Sequence, residues 1–206
     1  KEGVDGIITE ACFIIHQKPL HSRVMVLEFY GRSMHPAATV VRELVDLRNR
    51  IRLDGDYAHL SALEEFNAKY VQAIEYKPKS GKFEGLPISV IILQVDGDDP
   101  YLLDKVVGEI VQVAEKQENV DIILARNEKE AEVFWEDRHK LSAIAKRTSG
   151  FKLNEDVVIP TSRIPDFALF MERLNLECVA GSYRHALQEV GRLPGFPMEA
   201  KEVNRE

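Results

Sequence analysis

The chain has 206 residues, of which 45% are hydrophobic and 30% are charged. This composition is typical of a globular protein with one domain, or at most two small ones, and the length suffices to bury a core without disulfides or structural metals. The formal net charge of −7 disfavours nucleic acids and other phosphate-rich partners. No apolar run approaches the roughly 18 residues of a membrane span. The two cysteines lie in apolar segments, which indicates a reducing, cytoplasmic compartment rather than a disulfide framework.

The first half of the chain is predicted to contain two strands followed by two helices. Residues 7–15 and 23–30 are strand-like apolar runs. Because the chain reaches the first run almost at once and has no initiating Met, we expect its start to be a cut within a longer protein. Residues 36–53 are predicted as an amphipathic helix, since apolar residues recur at helical spacing after a first-turn proline. Residues 61–75 are predicted as a second helix, whose first letters, SALE, have the spacing of a capping box.

The second half alternates strands and helices. The strands are predicted at residues 87–95, 120–125 and 157–160, and the helices at residues 100–116, 127–148 and 162–191. With the strands arranged partly in pairs, this order predicts an α+β fold of the ferredoxin-like type, in which helices cover one face of an antiparallel sheet.

Most motifs for cofactor, metal or nucleic-acid binding are excluded, because their residues do not have the required spacing. The loop at residues 76–85 contains glycine and lysine without the spacing of a P-loop, and no G-x-G-x-x-G follows a strand. The acidic turn at residues 96–99 lacks the twelve-residue ligand pattern of a calcium loop. The six histidines do not have metal-ligand spacing, and the basic residues do not cluster with aromatic ones as on a nucleic-acid surface.

One group of residues can bind an anion. Trp135, Arg138 and Ser142 are spaced i, i+3 and i+7, so they project from one face of the predicted helix, and Lys152 follows in a loop. A guanidinium fork, a hydroxyl and an ammonium that face one cleft are suited to a carboxylate.

The alternative is that Arg138 pairs with Glu132 or Asp137 at the rim, with its apolar stem along the edge of the helix stripe. Spacing alone favours this second interpretation.

Four stretches, in the same order and at similar spacing across nearly all of residues 1–175, resemble one family. They are EGVDGIITEACFII, SALEEFN, EAEVFWEDRHKLSAIAK and NEDVVIPTSRIPDF. They are similar to motifs of the flavin-linked D-2-hydroxy-acid dehydrogenases, the group of D-lactate dehydrogenase, the glycolate oxidase D-subunit and D-2-hydroxyglutarate dehydrogenase, within the vanillyl-alcohol-oxidase type of FAD proteins.

The resemblance implies an organisation and residue roles. Residues 1–15 would end an FAD-binding domain, residues 16–190 would form the cap (substrate) domain, and residues 191–206 would be a tail. Arg138 matches the arginine that holds the substrate carboxylate, Ser142 a hydroxyl residue that assists it, and Lys152 a second cationic contact. The residues expected near the flavin are Gly6, Ile7, Ile8 and Thr9.

The chain also departs from the family. The motif H-x-G-D-G-N-x-H should come after the helix that follows the SRIP turn, but the stretch GSYRHALQEVGRLPGFP takes that place, and its only histidine is His185. Either the histidine motif, with any divalent metal it binds, lies beyond residue 206, which we expect, or this branch has lost it. Most of the FAD site is expected before residue 1. The implied partners are a small 2-hydroxy acid, an electron-accepting protein or quinone, and a second copy in a homodimer. The isolated chain is expected to be inactive, and the parent to be cytoplasmic or peripherally attached to a membrane.

Two rival hypotheses remain from the sequence. One is a ferredoxin-like ligand-binding or regulatory module without a redox role that dimerises through its sheet. The other is a structural interaction domain, in which Arg138 is paired and the cleft is closed.

Overall fold

The computed structural model describes residues 6–15, 17–55, 58–140 and 157–192. The strands in these ranges are β1 (His21–Phe29), β2 (Ala58–Asn67), β3 (Ser89–Gly97) and β4 (Val120–Leu124). The helices are α1 (His35–Asp54), α2 (Ala68–Ala73), α3 (Pro100–Ala114), α4 (Glu128–His139) and α5 (Ile164–Val190), the last preceded by a 3-10 turn at Thr161–Arg163.

The sheet has the order β2-β3-β1-β4, with every neighbouring pair antiparallel. The connection through α1 joins β1 to β2 across β3, and the connection through α3 joins β3 to β4 across β1. Two interleaved βαβ units of this kind define the ferredoxin-like fold. The predicted α+β class and ferredoxin-like type are therefore confirmed, but the expectation that helices cover only one face is wrong, because α2 and α4 pack on the second face.

Two predicted elements in the first half are wrong. Residues 7–15 form no strand, and their large apolar side chains are exposed. Residues 61–67 continue β2, so only the end of the predicted 61–75 helix is helical, as α2. Ser61 does not cap a helix, because its hydroxyl donates to the Gln94 carbonyl of the neighbouring strand at 3.2 Å. The helix cap is Asn67, whose side chain accepts from the Tyr70 amide at 3.0 Å.

The elements predicted in the second half agree better with the structure. β3, α3, β4 and α5 are confirmed with ends shifted by a few residues, whereas residues 157–160 form no strand. The predicted helix at residues 127–148 is confirmed as α4 up to His139, and residues 141–148 lie outside the described ranges.

Helices pack on both faces of the sheet. On the first face, α1 and α3 cover the alternate β1 side chains of Met25, Leu27 and Phe29, which are at most 2% exposed. This larger cluster is the main core, and its burial supplies most of the apolar stabilisation.

The second face of the sheet carries a smaller cluster, packed under α2 and α4. It includes Val24 and Val26 of β1, Phe66 of β2, Tyr76 after α2, and Phe134 of α4. Because successive strand residues point to opposite faces, Glu28 also lies on this second face. The candidate site is built on it.

Helix α5 extends the first face. Its early turns pack on α1, and Glu172 accepts hydrogen bonds from the Ser33 hydroxyl, at 3.1 Å, and from the Met34 amide at the start of α1. Its later apolar side chains, such as Leu176 and Tyr183, are 71% and 70% exposed. Among the described residues, no helix is both long and apolar enough to cross a membrane.

Candidate functional site

Arg138 lies in the last turn of α4, over the second face of the sheet. The helix begins at an Asn127 cap, whose side chain accepts from the Glu130 amide at 3.0 Å. A cation in the last turn is favoured by the helix dipole. Arg138 Nε lies 3.1 Å from Glu64 Oε2 on β2, and the two side chains are 37% and 41% exposed.

This contact has the distance of an ion pair without the geometry of a hydrogen bond. Arg138 Nε is buried and has no hydrogen-bond partner among the described residues. An N–H donor held near a carboxylate but off its axis keeps the Coulomb attraction and loses the directional part of the interaction. The contact with Glu64 is therefore an ion pair in which the buried Nε–H makes no hydrogen bond with any described residue.

Neither rim acid expected from the sequence is the partner of Arg138. Asp137 is 2% exposed and accepts from Lys79 Nζ and Lys140 Nζ, both at 2.7 Å. Among the described residues, the ion pair of Arg138 is instead with Glu64, a residue of a different element. The alternative of a rim pairing with Glu132 or Asp137 is therefore wrong.

Two aromatic residues hydrogen-bond close to Arg138 and fix the end of α4. The Tyr70 hydroxyl donates to the Asp137 carbonyl at 3.0 Å, and its ring stacks on Phe66 with centroids 4.6 Å apart. Burial raises the pKa of Tyr70, and the nearby charge of Arg138 opposes that shift. Trp135 Nε1 donates to Gln94 Oε1 at 3.2 Å, which ties α4 to β3. The α4 backbone that carries Arg138 is thus held on two sides.

A second polar group lies deeper on the same face. Glu28 is fully buried and accepts from the Tyr76 hydroxyl at 2.7 Å, the Lys79 amide at 2.7 Å and the Tyr30 hydroxyl at 2.9 Å. Burial, followed by the charge of Glu28, raises the pKa of Tyr76 far above its ordinary value. Because both oxygens of Glu28 accept hydrogen bonds from neighbouring residues, we interpret this network as structural.

The other site residues predicted from the sequence either lie outside the described ranges or are exposed. Ser142 and Lys152 lie outside the described ranges. Gly6, Ile7, Ile8 and Thr9 are all exposed. Ile7 and Ile8 are 92% and 88% exposed, which leaves their side chains available to another surface. Their role at a flavin stays a prediction.

The sequence did not single out Glu64 as a site residue. Its spacing from Ser61 is that of a capping box, and only the strand register, which pairs it with Ile92, places it on the same face as Phe66. Within the described ranges, no group of three or more His, Cys, Asp or Glu residues could hold a metal ion. Cys12 and Cys178 are both free and exposed.

Comparison with known proteins identifies the family of this domain. Residues 37–185, from the first turn of α1 well into α5, match the family described as FAD linked oxidases, C-terminal domain. The chain belongs to this family. The match contains both Glu64 and Arg138 and lies within residues 16–190, the range predicted for the cap domain. The limits of that range remain predictions.

Other comparisons are more distant. No curated protein matches the chain. Among solved structures, it is similar to a 4-ethylphenol oxidase from Gulosibacter chungangensis in complex with isoeugenol, with 13% identity and a TM-score of 0.39. The similarity covers 60% of this chain and 26% of that oxidase, so the chain spans about a quarter of the relative's length.

Proposed function

We propose that this chain is the substrate-binding cap domain of an FAD-dependent oxidoreductase that acts on a D-2-hydroxy acid, and that Arg138 binds the substrate carboxylate. Membership of the FAD linked oxidase family supports an oxidoreductase parent. The observation that carries the substrate class is the buried Arg138 Nε, which has no hydrogen-bond partner among the described residues.

The chemistry of this group suits a carboxylate. A guanidinium presents parallel N–H donors that match the two oxygens of a carboxylate, and such charge-assisted pairs are about twice as strong as neutral hydrogen bonds. A buried donor without an acceptor costs about 1–3 kcal/mol. An anion that accepts from Nε would remove this cost, so binding is favoured beyond the Coulomb attraction alone.

The proposed task of the domain is orientation. When bound, the flavin accepts the hydride from the substrate α-carbon, and this domain holds the carboxylate so that the C–H bond has one direction. Ser142 and Lys152 are proposed to assist Arg138. The exposed apolar side chains at residues 7 and 8 fit contact with the flavin ring or with the domain that holds it.

Further parts of the proposal concern the parent protein. Most of the FAD site and a histidine-bound divalent metal would lie outside the described residues. The electron acceptor would be a protein or a quinone, with a cytoplasmic or membrane-peripheral location and a homodimeric assembly.

The test uses the full-length flavoprotein that carries this chain. D-lactate, glycolate and D-2-hydroxyglutarate are added anaerobically while the flavin absorbance is followed, and bleaching by one of them identifies the substrate. Arg138→Ala should then lower kcat/KM by about 10- to 150-fold, the equivalent of a charged hydrogen bond. Unchanged kinetics would remove the carboxylate role from Arg138.

The matched control is Arg126→Ala. Arg126 lies just before the same helix, with its side chain 84% exposed and paired to Glu130 at 3.0 Å. It removes the same charge from nearly the same element, so its kinetics should match those of the parent. An equal loss in both variants would indicate general electrostatic attraction rather than a site at Arg138.

A second function is favoured by one observation, the ion pair between Arg138 and Glu64. It is the pairing expected of a structural interaction domain, in which Arg138 binds nothing else. In that case Arg138→Ala would lower the free energy of unfolding and leave KM unchanged, the reverse of the pattern above.

A further inference from the structure

Glu64 supplies the carboxylate that contacts Arg138. It lies on β2, an edge strand, where its backbone pairs with Ile92 of β3. Its Oε2 is 3.1 Å from Arg138 Nε. Glu64 is therefore a carboxylate at the position where the proposed function puts the substrate carboxylate.

We propose that Glu64 is a specificity-determining residue, an internal carboxylate that occupies Arg138 in the absence of substrate and that an incoming carboxylate must displace. This inference rests on the proposed function. It adds that the site selects anions by competition with a built-in acid, and it assigns that acid to β2.

The geometry makes Glu64 displaceable. The two side chains are more than a third exposed, and ion pairs of that exposure contribute about 0–1 kcal/mol. The contact leaves Arg138 Nε without a hydrogen bond among the described residues. A free carboxylate can turn to accept from Nε and a neighbouring Nη at once, whereas Glu64 is tethered to a strand whose backbone is fixed by its ladder with β3.

Selectivity follows from this competition. A substrate carboxylate replaces one anion with a better-placed one, so the guanidinium is never left unpaired. A neutral analogue, such as an amide or ester of the same acid, would have to separate Arg138 from Glu64 without restoring the charge pair. Glu64 thus disfavours the binding of neutral analogues, besides pairing with Arg138 in the free protein. Disfavouring an unwanted ligand in this way is a general route to specificity.

The first experiment is Glu64→Gln in the full-length flavoprotein. This substitution keeps the size of the side chain and removes its charge. KM for the acid substrate should fall by about 2- to 5-fold, the strength of an exposed ion pair, with kcat unchanged. KM for the methyl ester of the same acid should not rise.

The matched control is Glu65→Gln, the neighbouring acid on the same strand. Successive strand residues point to opposite faces, and Glu65 accepts from the Ser89 hydroxyl at 2.6 Å on the side away from Arg138. It carries the same charge change, so a fall in KM in both variants would reflect net charge alone and would overturn the inference.

Binding can also be measured without catalysis. Oxalate titrated into the full-length flavoprotein, with its flavin absorbance followed, should bind more tightly to Glu64→Gln than to the parent and should give no response with Arg138→Ala.

The outcomes separate the two proposals. If Arg138→Ala leaves KM unchanged, the proposed function fails and this inference fails with it. If Arg138→Ala raises KM while Glu64→Gln leaves it unchanged or raises it, the carboxylate site stands and the inference alone is overturned. In the latter case Glu64 positions Arg138 rather than competing for it.

Discussion

Replacement of Asp137 by alanine should destabilise the domain strongly, because it leaves a buried cation without its partner. Asp137 is 2% exposed, and Lys79 Nζ donates to it at 2.7 Å from a side chain that is 13% exposed. Removal of one partner of a buried pair costs about 3–5 kcal/mol. Lys140, which is 46% exposed, adds at most about 1 kcal/mol, because water can replace its contact.

The assay is urea unfolding of the chain, followed by Trp135 fluorescence and by circular dichroism to test two-state behaviour. Asp166→Ala is the matched control, since the pair of Asp166 with Arg163 has side chains 63% and 69% exposed. It should change the free energy of unfolding by less than about 0.5 kcal/mol.

A double variant tests the cause of the loss. If the orphaned ammonium is what destabilises Asp137→Ala, the further change Lys79→Met should recover part of the lost stability, because it removes the unpaired charge and keeps the length of the side chain. A double variant that is less stable than Asp137→Ala would refute this reasoning and indicate that lost packing dominates.

Two further predictions concern the same face of the domain. The pKa of Tyr76 is raised by burial and by the charge of Glu28, so above pH ~10 the unfolded chain loses this proton and the folded chain keeps it. The contribution of Tyr76 to the free energy of unfolding should therefore be constant below pH ~10 and fall by about 1.4 kcal/mol per pH unit above it. Tyr76→Phe should reduce the measured slope by that amount in urea titrations at pH 9–11, while Tyr30 and Tyr70, whose pKa values are also raised, keep their own contributions. Asn67→Ala removes the cap of α2 and should cost about 1 kcal/mol, whereas Asn67→Asp should be nearly neutral; equal losses in the two variants would contradict a capping role.

The elements that could be predicted from the sequence are those with their own local signals. Helices α1, α3 and α5 each have a proline in the first turn, and α1 and α3 also place their apolar residues at helical spacing. Strands β1 and β3 are continuous apolar runs buried between helices. In these segments propensity, pattern and tertiary packing agree, so the structure confirms them.

The elements that could not be predicted depend on partners elsewhere in the chain. The stretch SALEEFN consists largely of helix-favouring residues, but pairing with β3 makes it an edge strand, because ladder hydrogen bonds and burial of Phe66 outweigh propensity. Residues 7–15 are the reverse case, because the sequence predicts a strand that does not form. They have strand propensity, but a strand needs a neighbour, and none of the described strands pairs with them.

These errors offset one another only in part. Strands were predicted at residues 7–15 and 157–160 where none forms, and β2 was missed, so five strands were predicted for a described sheet of four. The position of Arg138 on the same helix face as Trp135 could be predicted from their i, i+3 spacing. The partner of Arg138 could not, since Glu64 lies on β2, and only the register of the sheet brings it under α4.

The contrast between Asp137 and Arg138, adjacent on α4, is the strongest physical argument for a ligand at this site. Asp137 shows how this domain builds a structural ion pair: the carboxylate is buried and two ammonium groups donate to it at hydrogen-bond distance. Arg138 has none of these features, because it is half-exposed, has one off-axis contact, and keeps a buried donor unsatisfied among the described residues. A carboxylate substrate that accepts from this donor, as proposed, would satisfy it.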